Sequence, residues 1–205
     1  LLANIFLHYV LDEWFVKDVQ SRMQGRCFLI RYADDFVIGF EKEQDAHRVM
    51  EVLPKRFNRF SLSVHPEKTK LVRFGRPSGD DKAKCNGTFD FLGFTHFWSK
   101  SRRGNWVIKK KTMGKRVSRF VKAVWQWCRH NRHEPLKEQH KALCVKLRGH
   151  YQYYGVRHNS RALNDVLYHV KRAWQYWLSK RGHRGIVIWD YFDSFISKKY
   201  PLPWP

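Results

Sequence analysis

Acidic residues are scarce in this chain: 18 Asp and Glu stand against 40 Lys and Arg over 205 residues, leaving a net charge of +22. Self-repulsion on that scale calls for a polyanion nearby. A membrane surface is the weaker candidate, because no apolar run approaches the roughly 18 residues that a span requires; nucleic acid is the stronger one. No stretch has the pattern of a secretory signal peptide. Cysteine is sparse too. Cys27, Cys85, Cys128 and Cys144 are scattered without a Cys-x-x-Cys pair, which argues against a disulfide framework and for reduced thiols. No internal repeat is visible, and nothing points to a solenoid.

What the chain does have is apolar and aromatic content, 43% and 16%. That is enough for a core of ordinary size in one large domain or two small ones, and too much for a disordered polyelectrolyte. The charge is unevenly placed. Residues 1–94 hold 15 Lys and Arg against 13 Asp and Glu, whereas residues 95–205 hold 25 against 5. The first part is close to neutral and carries the carboxylates; the second carries +20. Such asymmetry points to chemistry in one part and grip on a polyanion in the other.

Leu7, Leu11, Trp14 and Phe15 recur at helical spacing within residues 1–19, and the chain opens inside this pattern with no cap, as a piece of a longer protein would. Two β-prone runs, Cys27–Arg31 and Phe36–Phe40, then flank Tyr32-Ala33-Asp34-Asp35 and read as a hairpin. Glu43–Phe60 is helical on Ala46, Val49, Met50, Leu53, Phe57 and Phe60, with a kink or boundary expected just before Pro54. Leu62–Phe74 reads as strand, Pro-containing basic turn and strand, and Gly75–Gly87 as a mobile loop. Phe89–Trp98 reads as an aromatic strand with Gly93 inside it, either relieving crowding or admitting another backbone. Trp106–Ile108 returns as a strand into Lys109, Lys110 and Lys111. Thr112 is expected to cap a helix reaching His130, Pro135–Tyr153 gives a second, and Asn159 or Ser160 caps a third that ends before Gly182 and Gly185. A short extended piece, Ile186–Ile188, a last helix, Asp190–Lys199, and a Pro-rich end complete the chain. The fold class is α+β: a partial antiparallel sheet with helices over 1–111, then a basic all-α bundle over 112–205.

Asp34 and Asp35 at a hairpin turn can be plain turn chemistry, since Asp bonds its own backbone there. They can equally be ligands for a hard cation facing phosphates. Cys128, His130, His133, His140 and Cys144 have metal-binding composition, but their spacing matches no zinc pattern and straddles a helix break. Trp125, Trp127, Tyr151, Tyr153, Tyr154, Trp174 and Trp177 can stack on bases, although those at helical spacing read better as core. Tyr153 and Tyr154 cannot both face one core. The basic run from Lys100 to Lys122, including Lys115, Arg116 and Arg119, and the donors Arg148 and His150, read as phosphate- or RNA-facing.

Several stretches together resemble a family. Tyr32-Ala33-Asp34-Asp35 resembles the Tyr-x-Asp-Asp box of reverse transcriptases. His65-Pro66-Glu67-Lys68-Thr69-Lys70 and Phe89-Asp90-Phe91-Leu92-Gly93-Phe94 resemble the next two blocks of that palm, in order. Arg148–Gly155 and Asn159–Leu163 resemble the thumb or maturase region of bacterial group II intron-encoded proteins. The resemblance covers nearly the whole chain.

It implies RNA-templated DNA synthesis from deoxynucleotides on a DNA primer, with two Mg²⁺ ions, in the cytoplasm of a bacterium, together with binding of intron RNA to assist splicing. By resemblance Asp34 is the principal metal ligand and Asp35 its neighbour. Tyr32 and Ala33 would lie beside the primer end, Lys68 and Lys70 would touch phosphates, and Leu92 and Gly93 would pack on the primer strand. The family's other metal-binding Asp lies on a strand upstream of the first helix, outside these 205 residues, and neither Asp12 nor Asp90 matches it. A chain without that carboxylate is expected to be inactive by itself. The competing readings are an RNA-binding module without polymerase activity, and a reverse transcriptase serving retrons or CRISPR adaptation.

Overall fold

Helix α1, Leu2–Leu7, continues without a break into π-helical turns at His8–Glu13 and Phe15–Val19 and a 3-10 turn at Gln20–Arg22. The inward stripe follows three- and four-residue spacing: Val10, Leu11, Trp14, Phe15 and Val19 are the buried positions. Leu7 is only half-buried. The computed structural model describes residues 2–77, 87–182 and 185–205, which fall into two compact units, 1–92 and 93–205. Most of the loop expected at Gly75–Gly87, and Cys85 with it, lies outside the described residues.

In the first unit, strands β1 (Cys27–Tyr32) and β2 (Asp35–Phe40) form an antiparallel hairpin, with Leu29 opposite Ile38 and Tyr32 opposite Asp35. Period-two alternation turns Cys27, Leu29, Phe36, Ile38 and Phe40 onto the core. The opposite face leaves Phe28, Ile30 and Tyr32 exposed. Helix α2, Glu43–Asn58, contributes Ala46, Val49, Leu53 and Phe57 to the buried set and runs through Pro54 without ending. Near its N-terminus Asp45 is buried, and its carboxylate accepts the amides of Gln24 and Gly25 at 3.0 and 2.9 Å, which fixes the bend before β1.

The hairpin expected at Leu62–Phe74 is not a sheet. A turn forms at His65–Thr69, where the amides of Lys68 and Thr69 both reach the His65 carbonyl. The flanking residues alternate in burial without strand pairing, and Leu62 and Val64 rest against the first core. Phe89–Trp98 is likewise not one strand. Leu92 and Gly93 both have positive φ, +50° and +79°, and separate β3 (Phe89–Phe91) from β4 (Phe94–Lys100). Two consecutive left-handed residues make a tight turn, which is why glycine stands at the second.

In the second unit, β4 pairs with β5 (Trp106–Thr112) around a turn containing Gly104. Helices α3 (Gly114–His130), α4 (Leu136–Tyr154) and α5 (Ser160–Leu178) follow. Leu143, Leu147, Val166, Val170 and Trp174 lie at the centre of their core. Short helices α6 (Trp189–Tyr191) and α7 (Ser197–Lys199) flank a π-helical turn at Phe192–Ile196. The Pro-rich end is held here too: Leu202 is buried, and the Pro201 carbonyl lies 2.8 Å from His140 Nε2.

The two expected caps do not act as caps. Thr112 ends β5, and the N-cap position of α3 is Met113, with no side-chain cap bond. Asn159 does precede α5, but its side chain turns away from the helix: Oδ1 accepts the Thr112 amide at 2.8 Å, while Nδ2 donates to Thr112 Oγ1 and the Tyr154 carbonyl at 2.8 and 2.7 Å. A buried amide satisfied three times over ties β5 to the α4–α5 junction. Gln139 does similar work. It accepts from Trp174 Nε1 at 2.8 Å and donates to the carbonyls of Arg132 and Glu134.

Candidate active site

Only two residues, Ala33 and Asp34, link β1 to β2. Ala33 has φ +55°, so a non-glycine residue sits in the left-handed region at the first turn position. Positive φ at that position alone is the sign pattern of a type II′ hairpin turn, whose twist matches its strands. Asp34 is thus at the apex, and Asp35 opens β2 opposite Tyr32. Tyr32, Ala33, Asp34 and Asp35 are all exposed.

The turn is braced from the inner face of β1. Arg31 is the one charged residue on that face, in line with Cys27 and Leu29. Its Nε and Nη2 donate to the two carboxylate oxygens of Asp12 at 2.7 and 2.6 Å, a forked pair. Its Nη1 donates to the Ala33 carbonyl at 2.8 Å and reaches Asn4 Oδ1 at 3.5 Å. His8 Nδ1 lies 3.4 Å from Asp12 on the same helix. The hydrogen bonds from Arg31 hold the Asp12 carboxyl below its ordinary range. Neither Asp12 nor Arg31 was marked as functional by the sequence.

Exposed carboxylates supply the hard oxygen donors that Mg²⁺ prefers, so Asp34 and Asp35 suit a divalent cation. They are too few to position two. Among the described residues, no group of three or more His, Cys, Asp or Glu side chains lies together as a metal site. That also disposes of a centre built from Cys128, His130, His133, His140 and Cys144. Burial pushes the Cys128 thiol up to about 12, away from the thiolate that zinc needs. His130 Nδ1 is within 2.7 Å of the Gln126 carbonyl, and Cys144 pairs with His140 at 3.2 Å.

Lys68 and Lys70, also in the first unit, are exposed on and after the His65 turn. In the second unit the expected RNA-facing residues divide. Tyr153 is exposed and stacks on Phe94 with an 11° interplanar angle, while Tyr154 turns inward. The Tyr154 hydroxyl approaches Gly93 so closely that a β-carbon there would lie 3.1 Å away. Within this unit, Gly93 makes room for a tyrosine. Burial pushes the Tyr154 phenol up, and the nearby Arg116 and Arg119 partly offset this.

Lys115, Arg116, Arg119 and Arg148 are exposed. The β5 lysines are more engaged: Lys109 donates to the Lys100 carbonyl, Lys110 lies over Phe94 and Lys111 over Phe97. The structure moves His150 from the surface to the interior. It is 7% exposed, with its ring centroid 4.3 Å from Phe120 and 4.7 Å from Tyr154. An amphipathic helix carries one residue in three or four inward, and His150 follows Leu143 and Leu147 on that stripe. Trp174 is core, as its spacing predicts.

No described helix is long and apolar enough to cross a membrane. No curated protein matches the chain. Residues 1–96, which include both the Tyr32–Asp35 tip and the Leu92–Gly93 turn, match the family model described as reverse transcriptase (RNA-dependent DNA polymerase).

Proposed function

We propose that this chain is part of an RNA-directed DNA polymerase of a group II intron, and that its basic second unit also binds the intron RNA to assist splicing. The observation that carries the polymerase reading is the pair of carboxylates on a two-residue hairpin tip, exposed and braced by Arg31, inside the stretch that matches the reverse transcriptase family. Asp34 and Asp35 would hold Mg²⁺ together with a carboxylate from outside these 205 residues. The ions, when bound, lower the barrier to in-line attack of a primer 3′-oxygen on a nucleotide phosphate. This chain's own part is to present two oxygen-donor side chains at a fixed place, with Tyr32 and Ala33 beside them. Lys68 and Lys70 are exposed cations of the same unit, suited to phosphate.

The intron assignment rests on Arg148–Gly155 and Asn159–Leu163 and on the excess of 25 Lys and Arg over 5 Asp and Glu in residues 95–205. That same excess supports the second reading, an RNA-binding module without polymerase activity. Primer extension on an RNA template separates the two, using the complete protein with and without Asp34→Ala. Mg²⁺-dependent extension that the substitution abolishes supports the polymerase. Equal activity in both proteins overturns the assignment of Asp34, and RNA binding with no extension in either favours the binding module. These 205 residues alone are expected to extend nothing.

A further inference from the structure

We infer that Arg31 and Asp12 form a positioning pair that sets the peptide carrying Asp34, so that the metal-binding competence of the tip is controlled from the first helix. The inference rests on the polymerase reading. The carbonyl that Arg31 Nη1 holds at 2.8 Å belongs to Ala33, the other half of the Ala33–Asp34 peptide. Fixing that carbonyl fixes the peptide plane, and with it the direction in which the Asp34 side chain leaves the backbone. Ala33 at φ +55° is where such a restraint is needed, because a residue with a β-carbon is less stable in the left-handed region than in the extended one.

Arg31 is itself held. Its side chain is 15% exposed, and both ends of its fork are occupied by Asp12, which is 26% exposed. Two parallel charge-assisted bonds set the plane of a guanidinium, so the third donor points where the first two dictate. Lysine cannot do this, having one nitrogen for three tasks. Asp12 in turn sits in the π-helical stretch His8–Glu13, with His8 and Asn4 one and two turns before it along the same face. The path is therefore helix, Asp12, Arg31, Ala33 carbonyl and Asp34, each link a named contact within one compact unit.

Outer-shell partners of metal ligands lose about ten- to a hundredfold in metal affinity or activity when removed. The test uses the complete protein as wild type, Arg31→Lys, Asp12→Asn and Asp34→Ala, with three readouts: primer-extension kcat against Mg²⁺ concentration, template–primer Kd, and amide hydrogen exchange. Arg31→Lys is expected to lower kcat by about tenfold or more and to raise the Mg²⁺ needed for half-maximal rate. Template–primer Kd stays unchanged. Exchange speeds up at the Asp34 and Asp35 amides and not at Leu29 or Ile38 in mid-hairpin. Asp12→Asn, which keeps shape and weakens the fork, gives a smaller effect of the same kind.

A purely structural role would lower the melting temperature and speed exchange along the whole hairpin, with the Mg²⁺ requirement unmoved; that result overturns the inference. Active wild type with an equally active Arg31→Lys overturns it alone. Wild-type protein that extends no primer overturns the polymerase reading and this inference together.

Discussion

The Tyr154 hydroxyl packs tightly against Gly93: a β-carbon built there lies 3.1 Å from it. Two separate penalties therefore meet at one glycine. Gly93 has φ +79°, which strains any L side chain, and the tyrosine closes the space. Gly93→Ala is expected to destabilise the second unit by about 1–3 kcal/mol. Tyr154→Phe removes the oxygen and with it the steric part. A double-mutant cycle on thermal unfolding should show the Gly93→Ala loss shrinking, but not vanishing, in the Tyr154→Phe background. Additive losses would mean that the hydroxyl moves aside freely.

Asn159 is the polar joint of the same unit. It is 1% exposed and makes bonds to the Thr112 amide, the Thr112 hydroxyl and the Tyr154 carbonyl. Asn159→Ala strands a buried amide and a buried carbonyl, and a loss of about 2–4 kcal/mol is expected. Asn159→Asp discriminates further. Its carboxylate still accepts the Thr112 amide, yet it places an acceptor against the Tyr154 carbonyl, so it should rescue little. If Asp is tolerated as well as Asn in urea unfolding, the donor bonds contribute nothing.

How much of this was legible depends on the range of the interaction. Hairpin β1–β2, α2, α3, α4 and α5 follow from periodicity and turn chemistry, and each lies within a few residues of where its pattern places it. Local signals end where a side chain spends itself on a distant partner. Asn159 has the composition of a cap and serves Thr112, 47 residues away. Leu62–Phe74 has the alternation of strands without their pairing, because alternation reports one buried face and says nothing of a neighbouring strand.

The acidic pair of the tip is legible in the sequence, and its brace leaves a fainter signal. An arginine in the inward phase of Cys27-Phe28-Leu29-Ile30-Arg31 needs a buried partner, and Asp12 is the acid that answers it.

His150 makes the second unit acid-sensitive. Burial holds its pKa below the ordinary histidine value, and Nε2 has no hydrogen-bond partner among the described residues. The folded state therefore takes up this proton less readily than the unfolded state, whose imidazole titrates near 6.5. Stability from the buried neutral ring is full above about pH 6.5 and falls as pH drops toward the folded-state value. Asp12 has the same sign, since its pKa is also lowered, but acts only below the ordinary aspartate value of 3.8. Thermal melts between pH 7.5 and 5 should thus show a decline that His150→Phe flattens. A decline that survives the substitution would assign it elsewhere.

Salt dependence tests whether the charge of the second unit grips a nucleic-acid backbone. With about eight phosphates neutralised, log affinity for a template–primer duplex should fall with log salt at a slope of about −6 to −7. Arg116 and Arg119 are exposed on α3 and lie near Tyr154, so replacing either by Ala should flatten the slope by about 1 with little change in melting temperature. Lys110 lies over Phe94 and Lys109 bonds the Lys100 carbonyl, so their removal should lower stability as well as the slope. Tyr153 is the control of opposite kind. Its ring is 57% exposed and stacked on Phe94, so Tyr153→Ala should weaken binding by about 1–3 kcal/mol while leaving the slope where it was, because stacking releases no counterions. A flat salt response in the unmodified protein would remove the phosphate-binding role from all of these residues at once.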